Sequence, residues 1–381
     1  MPAANTHIIG SKFVQSIEET VFGLLPAGDD GLLANTTATA EWSGFKDILD
    51  SSVKAGSFSN TDIVSTYSLL YTVGNAYNGG VLAPNGDIHF APQTANRGQK
   101  VSAAGTVSTY SLVYTATNAY RGGVLSANGE IHFAPFSANR GQKISASGVA
   151  STYSLLYTAT LAYAGAVLAP NGDIHFIPYN ANRGQKVSAA GVVSTYSLVY
   201  TTSTGAYSGG VLAPNGNIYF VPTNAIVGQK ISPAGVVSTY SLVYTTTNAY
   251  IGGVLAPNGD IHFVPQNANR GQKIDINGTV STYSLIYTTT TAYLGGVLAP
   301  NGDIHFIPFV ANRGQKISAA GVVSTYSLVY TVTDAYIGGV LVPNGDIYFV
   351  SASAAVGQIL HTGSARPFDI GVAASPFLNK F

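Results

Sequence analysis

Cysteine is absent from this 381-residue chain, and tryptophan and methionine occur once each. Without cysteine, neither disulfides nor thiolate metal sites can contribute to the fold. Charge is also scarce. Only 9 % of residues are charged, and 17 basic side chains balance 17 acidic ones, which excludes a nucleic-acid binder acting through bulk positive charge. Long apolar runs are missing as well: no stretch reaches the ~18 residues that a membrane-spanning helix needs. The opening MPAANTHIIG has no basic segment followed by an apolar run, so it does not read as a signal peptide, and work outside a cell would need another exit route.

What is present points the other way from disorder. Hydrophobic residues make up 46 % of the chain, with 43 glycines and 24 tyrosines, a β-like, turn-rich composition able to fill a large core. The charge is unevenly spread. Residues 1–62 carry eight acidic and three basic side chains, a net of −5, and the remainder nine and fourteen, a net of +5.

The phrase STYSL recurs with its tyrosines at 67, 110, 153, 196, 240, 283 and 326, spaced by 43, 43, 43, 44, 43 and 43 residues. Each unit carries four strand signals. A Gly-Gly segment (A) and a DIHF-type segment (B) flank Asn-Gly, the strongest short hairpin signal. A short GQK strand (C) and a long VVSTYSLVYT strand (D) follow. Four strands in ~43 residues is the period of a propeller blade. The expected fold is therefore an all-β, seven-bladed β-propeller with four-stranded blades. Strand A lies innermost, where glycine lets backbones approach. The first strand signal, near residue 64, is a D strand, and the last unit lacks one, so the N-terminal strand should complete the final blade in a 1+3 closure. The domains read as an anchor over 1–62 with some helix, a propeller over 63–360, and a tail over 361–381. In the anchor, Phe13, Ile17, Val21 and Leu24 share a helical face with Ser11 as N-cap, a short helix is expected at GFKDILD, and Trp42 lies in an otherwise irregular stretch.

Five units read acid-x-His: Asp87/His89, Glu130/His132, Asp173/His175, Asp260/His262 and Asp303/His305. Metal ligation and acid–base chemistry are the functional readings. A buried histidine bonded within its own blade is the structural one, and it is favoured because a catalytic pair is rarely built five times. No metal or cofactor is called for. The same five units carry Asn96/Arg97, Asn139/Arg140, Asn182/Arg183, Asn269/Arg270 and Asn312/Arg313, whereas the other two carry Tyr219 with Ile226/Val227 and Tyr348 with Ala355/Val356. The expectation is two blade types, one closed by a His–Asn–Arg cluster, with the arginines either braces or a partial ring of anion or sugar sites. Six lysines in GQK read as solvated.

Strand alternation puts the B–C and D–A loops on one face. Two positions on that face differ among units. After strand B stand Gln93, Phe136, Tyr179, Thr223, Gln266, Phe309 and Ala352, and after the Ala-Tyr of the D–A loop stand Asn78, Arg121, Ala164, Ser208, Ile251, Leu294 and Ile337. Variation on a fixed scaffold marks a candidate binding face. Its members are Arg97, Arg140, Arg183, Arg270 and Arg313 with Phe136, Tyr179, Phe309 and Arg121.

The unit GGVLAPNGDIHFIPYNANRGQKIS…VVSTYSLVYT resembles kelch-like propeller repeats of tailed-bacteriophage virions, over residues 64–360. It departs from kelch repeats in lacking tryptophan, and it lacks the Trp-Asp ending of WD repeats. The resemblance implies a non-enzymatic virion surface protein, a fibre or capsid decoration. It would be made in the host cytoplasm and held to other virion proteins through 1–62 and 361–381. It would be present in many copies and contact host glycan or protein, without nucleic acid or membrane insertion. A free lectin and a scaffold binding only proteins are the alternatives.

Overall fold

Asn-Gly fixes the first hairpin of every unit: Asn85 Oδ1 accepts the Asp87 N–H at 3.1 Å, and Gly86 N–H reaches the Ala83 carbonyl at 2.9 Å. The computed structural model describes residues 62–362, which form twenty-eight strands, β1–β28 in chain order. Seven antiparallel four-stranded sheets result. Blade 1 is β2 (Tyr77–Leu82), β3 (Ile88–Pro92), β4 (Arg97–Val101) and β5 (Val107–Ser111), strands A to D in order. Blades 2–6 repeat it over 120–154, 163–197, 207–241, 250–284 and 293–327. Blade 7 joins β26 (Tyr336–Leu341), β27 (Asp346–Ser351) and β28 (Val356–His361) to β1 (Ile63–Ser68), with Ile63 opposite His361. The fold is the expected seven-bladed propeller with 1+3 closure. The expected helix around Phe13–Leu24, the GFKDILD helix and Trp42 lie outside the described residues.

The A strands are innermost. Each bulges between its tyrosine and the residue three positions on, a glycine as at Tyr77/Gly80 in six blades and Ala166 in blade 3. The first glycine, at φ +82° for Gly79, faces the next blade's backbone so closely that a Cβ would sit 3.3 Å from Gly122 Cα. Only glycine fits such a position. Beneath the bulge, Tyr77 is fully buried and its hydroxyl donates to the Arg97 carbonyl at 3.0 Å. Phe90 lies edge-on to it at 5.5 Å.

Strand D is shorter than its sequence suggests. It ends at the serine after the tyrosine, and the following LVYT leaves the sheet. The physical reason is a glutamine. Gln99 Oε1, fully buried in strand C of blade 1, accepts the N–H groups of Leu70 and Tyr71 from blade 7 at 3.0 and 2.9 Å. Gln142, Gln185, Gln229, Gln272, Gln315 and Gln358 do the same to the preceding blade, all at 2.8–3.0 Å. Each staple satisfies two backbone donors that the strand has released. Even so, Tyr67, Leu69 and Tyr71 all pack against the blade 1 core. The Tyr67 hydroxyl donates to the Phe349 carbonyl of its own blade at 3.2 Å, and Tyr71 packs edge-on against Tyr77 of blade 1.

The strand-D tyrosine lies flat across strand C. Gly184 pairs with Tyr196, and a Cβ on Gly184 would meet the Tyr196 ring at 2.1 Å. The same holds at all seven blades. We predict that Gly184→Ala, which forces this ring off its rotamer, destabilises the protein by about 3 kcal/mol. Urea unfolding midpoints would measure it. A loss below about 1 kcal/mol, the bare propensity scale, would mean that the ring position is dispensable.

Candidate functional site

Two sets of polar groups occupy opposite faces of the ring. On the A–B and C–D turn face, the tyrosine that crosses strand C reaches the strand-B histidine. Tyr110, Tyr153, Tyr196 and Tyr283 hydroxyls hydrogen-bond Nδ1 of His89, His132, His175 and His262 at 3.2–3.3 Å. These histidines are buried. Burial pushes each, and His305 with them, down to about 4, and it raises the tyrosines well above their usual range. Neutral, tied histidines are poor candidates for proton transfer near neutrality. The acid two residues earlier turns instead to the strand-C lysine: Lys100–Asp87 at 2.7 Å, Lys143–Glu130 at 2.8 Å, Lys186–Asp173 at 2.6 Å and Lys273–Asp260 at 2.6 Å. The lysines are therefore half-buried ion-pair partners rather than free solvated groups. Among the described residues no three His, Asp or Glu side chains gather as a metal site would require.

The two Tyr blades rewire this set. In blade 4, Asn217 replaces the acid and Lys230 lies over the Tyr219 ring at 5.4 Å. In blade 7, Ile359 replaces the lysine, and His361 takes Asp346 at 2.8 Å through Nδ1 while its Nε2 meets Ser65 Oγ at 2.8 Å. Ser65, His361 and Asp346 stand in the order of an acyl-transfer relay. Each is on a different strand of the one blade built from both chain ends, where they latch β1 to β28 and β27.

The expected His–Asn–Arg cluster does not form. Asn96 and Arg97 sit, exposed, at the opposite end of the blade from His89, as do Asn139/Arg140, Asn182/Arg183, Asn269/Arg270 and Asn312/Arg313. Each arginine lies over the tyrosine that follows the preceding blade's strand D, Arg97 on Tyr71, Arg140 on Tyr114, Arg183 on Tyr157, Arg270 on Tyr244 and Arg313 on Tyr287, at 5.1–5.7 Å. These are rim contacts between blades. Histidine and arginine vary together because both belong to one blade type, not because they touch.

The two variable positions do come together, at the inner ends of strands A and B on the B–C and D–A loop face. They break the sevenfold symmetry. Arg121 is the one charged residue in either set. It lies over the Phe136 ring at 5.2 Å and the Tyr179 ring at 5.5 Å, and these rings meet edge-on at 5.5 Å. Burial lowers the guanidinium's pKa, and the Tyr179 hydroxyl beside it opposes the shift. On one side of Arg121, Asn78 Nδ2 donates to Gln93 Oε1 at 3.1 Å, and Gln93 Nε2 donates to Asn118 Oδ1 at 2.9 Å. Further round, Ile251, Leu294, Ile337 and Ala352 share one hydrophobic cluster with half-buried Phe309. The backbone beneath is held by hydrogen bonds from blade to blade, such as Ala162 N–H to the Phe136 carbonyl at 2.6 Å and Ala206 N–H to the Tyr179 carbonyl at 2.7 Å. Among the described residues, the axial mouth is thus a preorganised amphipathic surface with one cation, a run of amides and an apolar quadrant. Sequence reasoning found these positions by their variation but placed the repeated arginines with them. The glutamine staples and the Ser65–His361–Asp346 latch it missed, since a lone Gln or Ser in a strand gives no local signal.

The model of the virginiamycin B lyase family matches residues 64–375. A streptogramin B lyase structure is 22 % identical, with a TM-score of 0.68 over 78 % of this chain and 98 % of that chain. A catalytically inactive histidine-to-alanine variant of virginiamycin B lyase from Staphylococcus aureus, crystallised with quinupristin, is 19 % identical, with a TM-score of 0.68 over 78 % and 99 %. The WD40 propeller domain of Doa1 is 10 % identical, with a TM-score of 0.57 over 78 % and 97 %. At these identities the solved structures bear on fold alone. No curated protein matches at a significant level. The family match overturns the kelch-like, phage-virion resemblance and the fibre or decoration role drawn from it, and it corrects the expectation of a non-enzyme, because the matched family is one of enzymes. The repeat features behind that resemblance (hairpin turn, glycine pair, period) are demands of any four-stranded blade, so they discriminate poorly among propellers.

The five buried histidines generate a pH prediction. Unfolded, each takes up a proton near 6.5, and folded near 4. Between those values the unfolded chain binds more protons, so stability is full above pH ~6.5 and falls as pH drops toward ~4. Each histidine contributes a few kcal/mol at most, since a tenfold change in proton affinity is worth about 1.4 kcal/mol. Urea unfolding across that range should show the fall, and His175→Tyr, which copies the blade 4 arrangement, should flatten it by roughly a fifth. A flat profile would contradict neutral burial.

Proposed function

The chain belongs to the virginiamycin B lyase family, and from that premise we propose that it is an enzyme taking an amphipathic, peptide-like ring of the streptogramin B type at the axial mouth. The observation that carries this reading is the asymmetry of that mouth. Six lysines and five arginines follow the repeat, but Arg121 with Phe136 and Tyr179 occurs once, facing an apolar quadrant around Leu294 and Phe309. A cyclic peptide with aromatic and aliphatic side chains presents complementary groups: apolar surface for the quadrant, amides for Asn78 and Gln93, and carbonyl oxygens for Arg121.

A lyase breaks a bond without water. When the bond lies β to a carbonyl, loss of the α-proton puts negative charge on the carbonyl oxygen, and a preorganised cation stabilises that charge. Arg121, half-buried and bracketed by two rings, is suited to that task. The Tyr179 hydroxyl beside it is the nearest group able to move a proton. The relative's dependence on a histidine has no counterpart at this mouth, since the described histidines sit inside blades or at position 361. Among the described residues, the group we propose for proton transfer is therefore the Tyr179 hydroxyl.

The test is to incubate the full chain with quinupristin and follow ring opening by chromatography and mass. Elimination opens the ring with no change in mass, whereas hydrolysis adds a water. An unchanged mass, with turnover reduced roughly 100-fold in Arg121→Met, is the expected result. A product heavier by one water would overturn the lyase reading, and absence of both binding and turnover would overturn the substrate class.

A further inference from the structure

The opposite face carries a second kind of site. In blades 1, 2, 3, 5 and 6 the acid, strand-B histidine and lysine face a cleft toward the next blade, whose C–D turn closes the far side in all but the last. In blades 2, 3 and 5 this cleft is open, with volumes of about 310, 220 and 410 Å³. The turn residue across the cleft is a glycine five positions before the strand-D tyrosine. A Cβ at Gly148, Gly191, Gly235 or Gly321, opposite blades 1, 2, 3 and 5, would meet nothing within 4 Å. In the two Tyr blades the space is partly filled: Gly278 faces the Tyr219 hydroxyl at 3.6 Å and Gly105 faces that of Tyr348 at 3.8 Å.

The cleft of blade 6 is filled differently. Blade 7 has no C–D turn, because its strand D is β1, and the residue in the glycine's place is Asp62. Its carboxylate enters the cleft and binds Lys316 at 2.7 Å, alongside Asp303 at 3.0 Å. Asp62 is 5 % exposed in its side chain, and Lys316 is 16 % exposed against 29–34 % for the lysines of blades 1, 2, 3 and 5. Both carboxylates raise the lysine's pKa. The insertion coincides with a rearrangement. His305 and Tyr326 are the one His–Tyr pair without the hydrogen bond, and their polar ring atoms have no partner among the described residues.

Among the described residues, one of five chemically alike clefts therefore takes a second carboxylate from the neighbouring blade, and four do not. We propose that the clefts of blades 1, 2, 3 and 5 bind the side-chain carboxylate of an extended acidic peptide, as the cleft of blade 6 binds Asp62. The lysine supplies the cation, shared with its own acid, and the side-chain-free turn supplies the room. Blades 4 and 7 are excluded by their tyrosines, which take up the space before the turn, and blade 7 also by the loss of its lysine. The proposal concerns the turn face and does not depend on the axial mouth.

The probe is the capped tetrapeptide acetyl-Asn-Thr-Asp-Ile-amide, the sequence of residues 60–63, titrated into the full chain by calorimetry, with its Asp→Asn version beside it. Single-carboxylate recognition should be weak, on the order of millimolar per site, and several equivalent sites should fit the isotherm. The Asn peptide should bind at least roughly tenfold more weakly. The combined variant Lys100→Met, Lys143→Met, Lys186→Met and Lys273→Met should lose binding, with Lys316 left in place. Should that variant not fold, His89→Tyr, His132→Tyr, His175→Tyr and His262→Tyr fill the same clefts with a ring the scaffold already accepts, and they should also abolish binding. Equal binding of the two peptides, binding that survives the filled clefts, or no binding at about 10 mM would each overturn the proposal. Self-association of the full chain that the filled clefts abolish would identify a second copy as the source of the acidic segment.

Discussion

A tyrosine ring lying across a strand-C glycine is the contact on which the rest of each blade depends. Because Gly98 has no side chain, Tyr110 can span strand C and reach strand B. In four blades that reach gives the Nδ1 of a buried histidine a partner instead of leaving it unsatisfied. The histidine in turn sets the cleft. Where it stands, the space beside lysine and acid is open. Where tyrosine replaces it, the hydroxyl extends toward the neighbouring turn and the ring below bonds a carbonyl, as Tyr240 does to Phe220 and Tyr67 to Phe349. The two blade types are two solutions to one packing problem.

Blades are joined by a second, independent device. The glutamine beside the glycine gives up its own strand's surroundings to cap two N–H groups of the previous blade. Adjacent residues in Gly-Gln-Lys thus do three different things: admit a ring, hold a neighbour, and pair an acid. A three-residue phrase repeated this closely is expected when each member answers a separate geometric demand.

Much of the fold was legible because propellers are written locally. The Asn-Gly turns, the glycine pairs, the fixed period and the displaced D strand each encode one decision, and together they give the strand order and the closure. Strand D was read too long because VVSTYSLVYT alternates throughout, and nothing in it shows that a glutamine 28 residues onward will pull Tyr114 away. The joint variation of His89 with Arg97 was real but misread as contact, since variation by blade type ties together residues at opposite ends of a sheet. The mouth was found by the reverse signal, positions that refuse the repeat, although Arg121 is told apart from the five rim arginines only by the two rings around it. The family was not legible, because the residues that define a blade are shared by propellers of many trades.

The closure also bears on how the molecule is made. β1 leaves the ribosome before every other strand of the ring, yet its partner β28 lies almost 300 residues later, with Ile63 opposite His361. At roughly 5–20 residues per second, the strand waits on the order of tens of seconds while six complete blades assemble behind it. A waiting strand with free edge groups invites wrong partners, and IVSTYS is polar enough on one side to wait in water. The ring is thus held open by synthesis itself. The oldest strand can dock onto the newest only once β28 has been made, so a chain cut short before Val356 leaves an unpaired β1 at one end and an incomplete blade at the other.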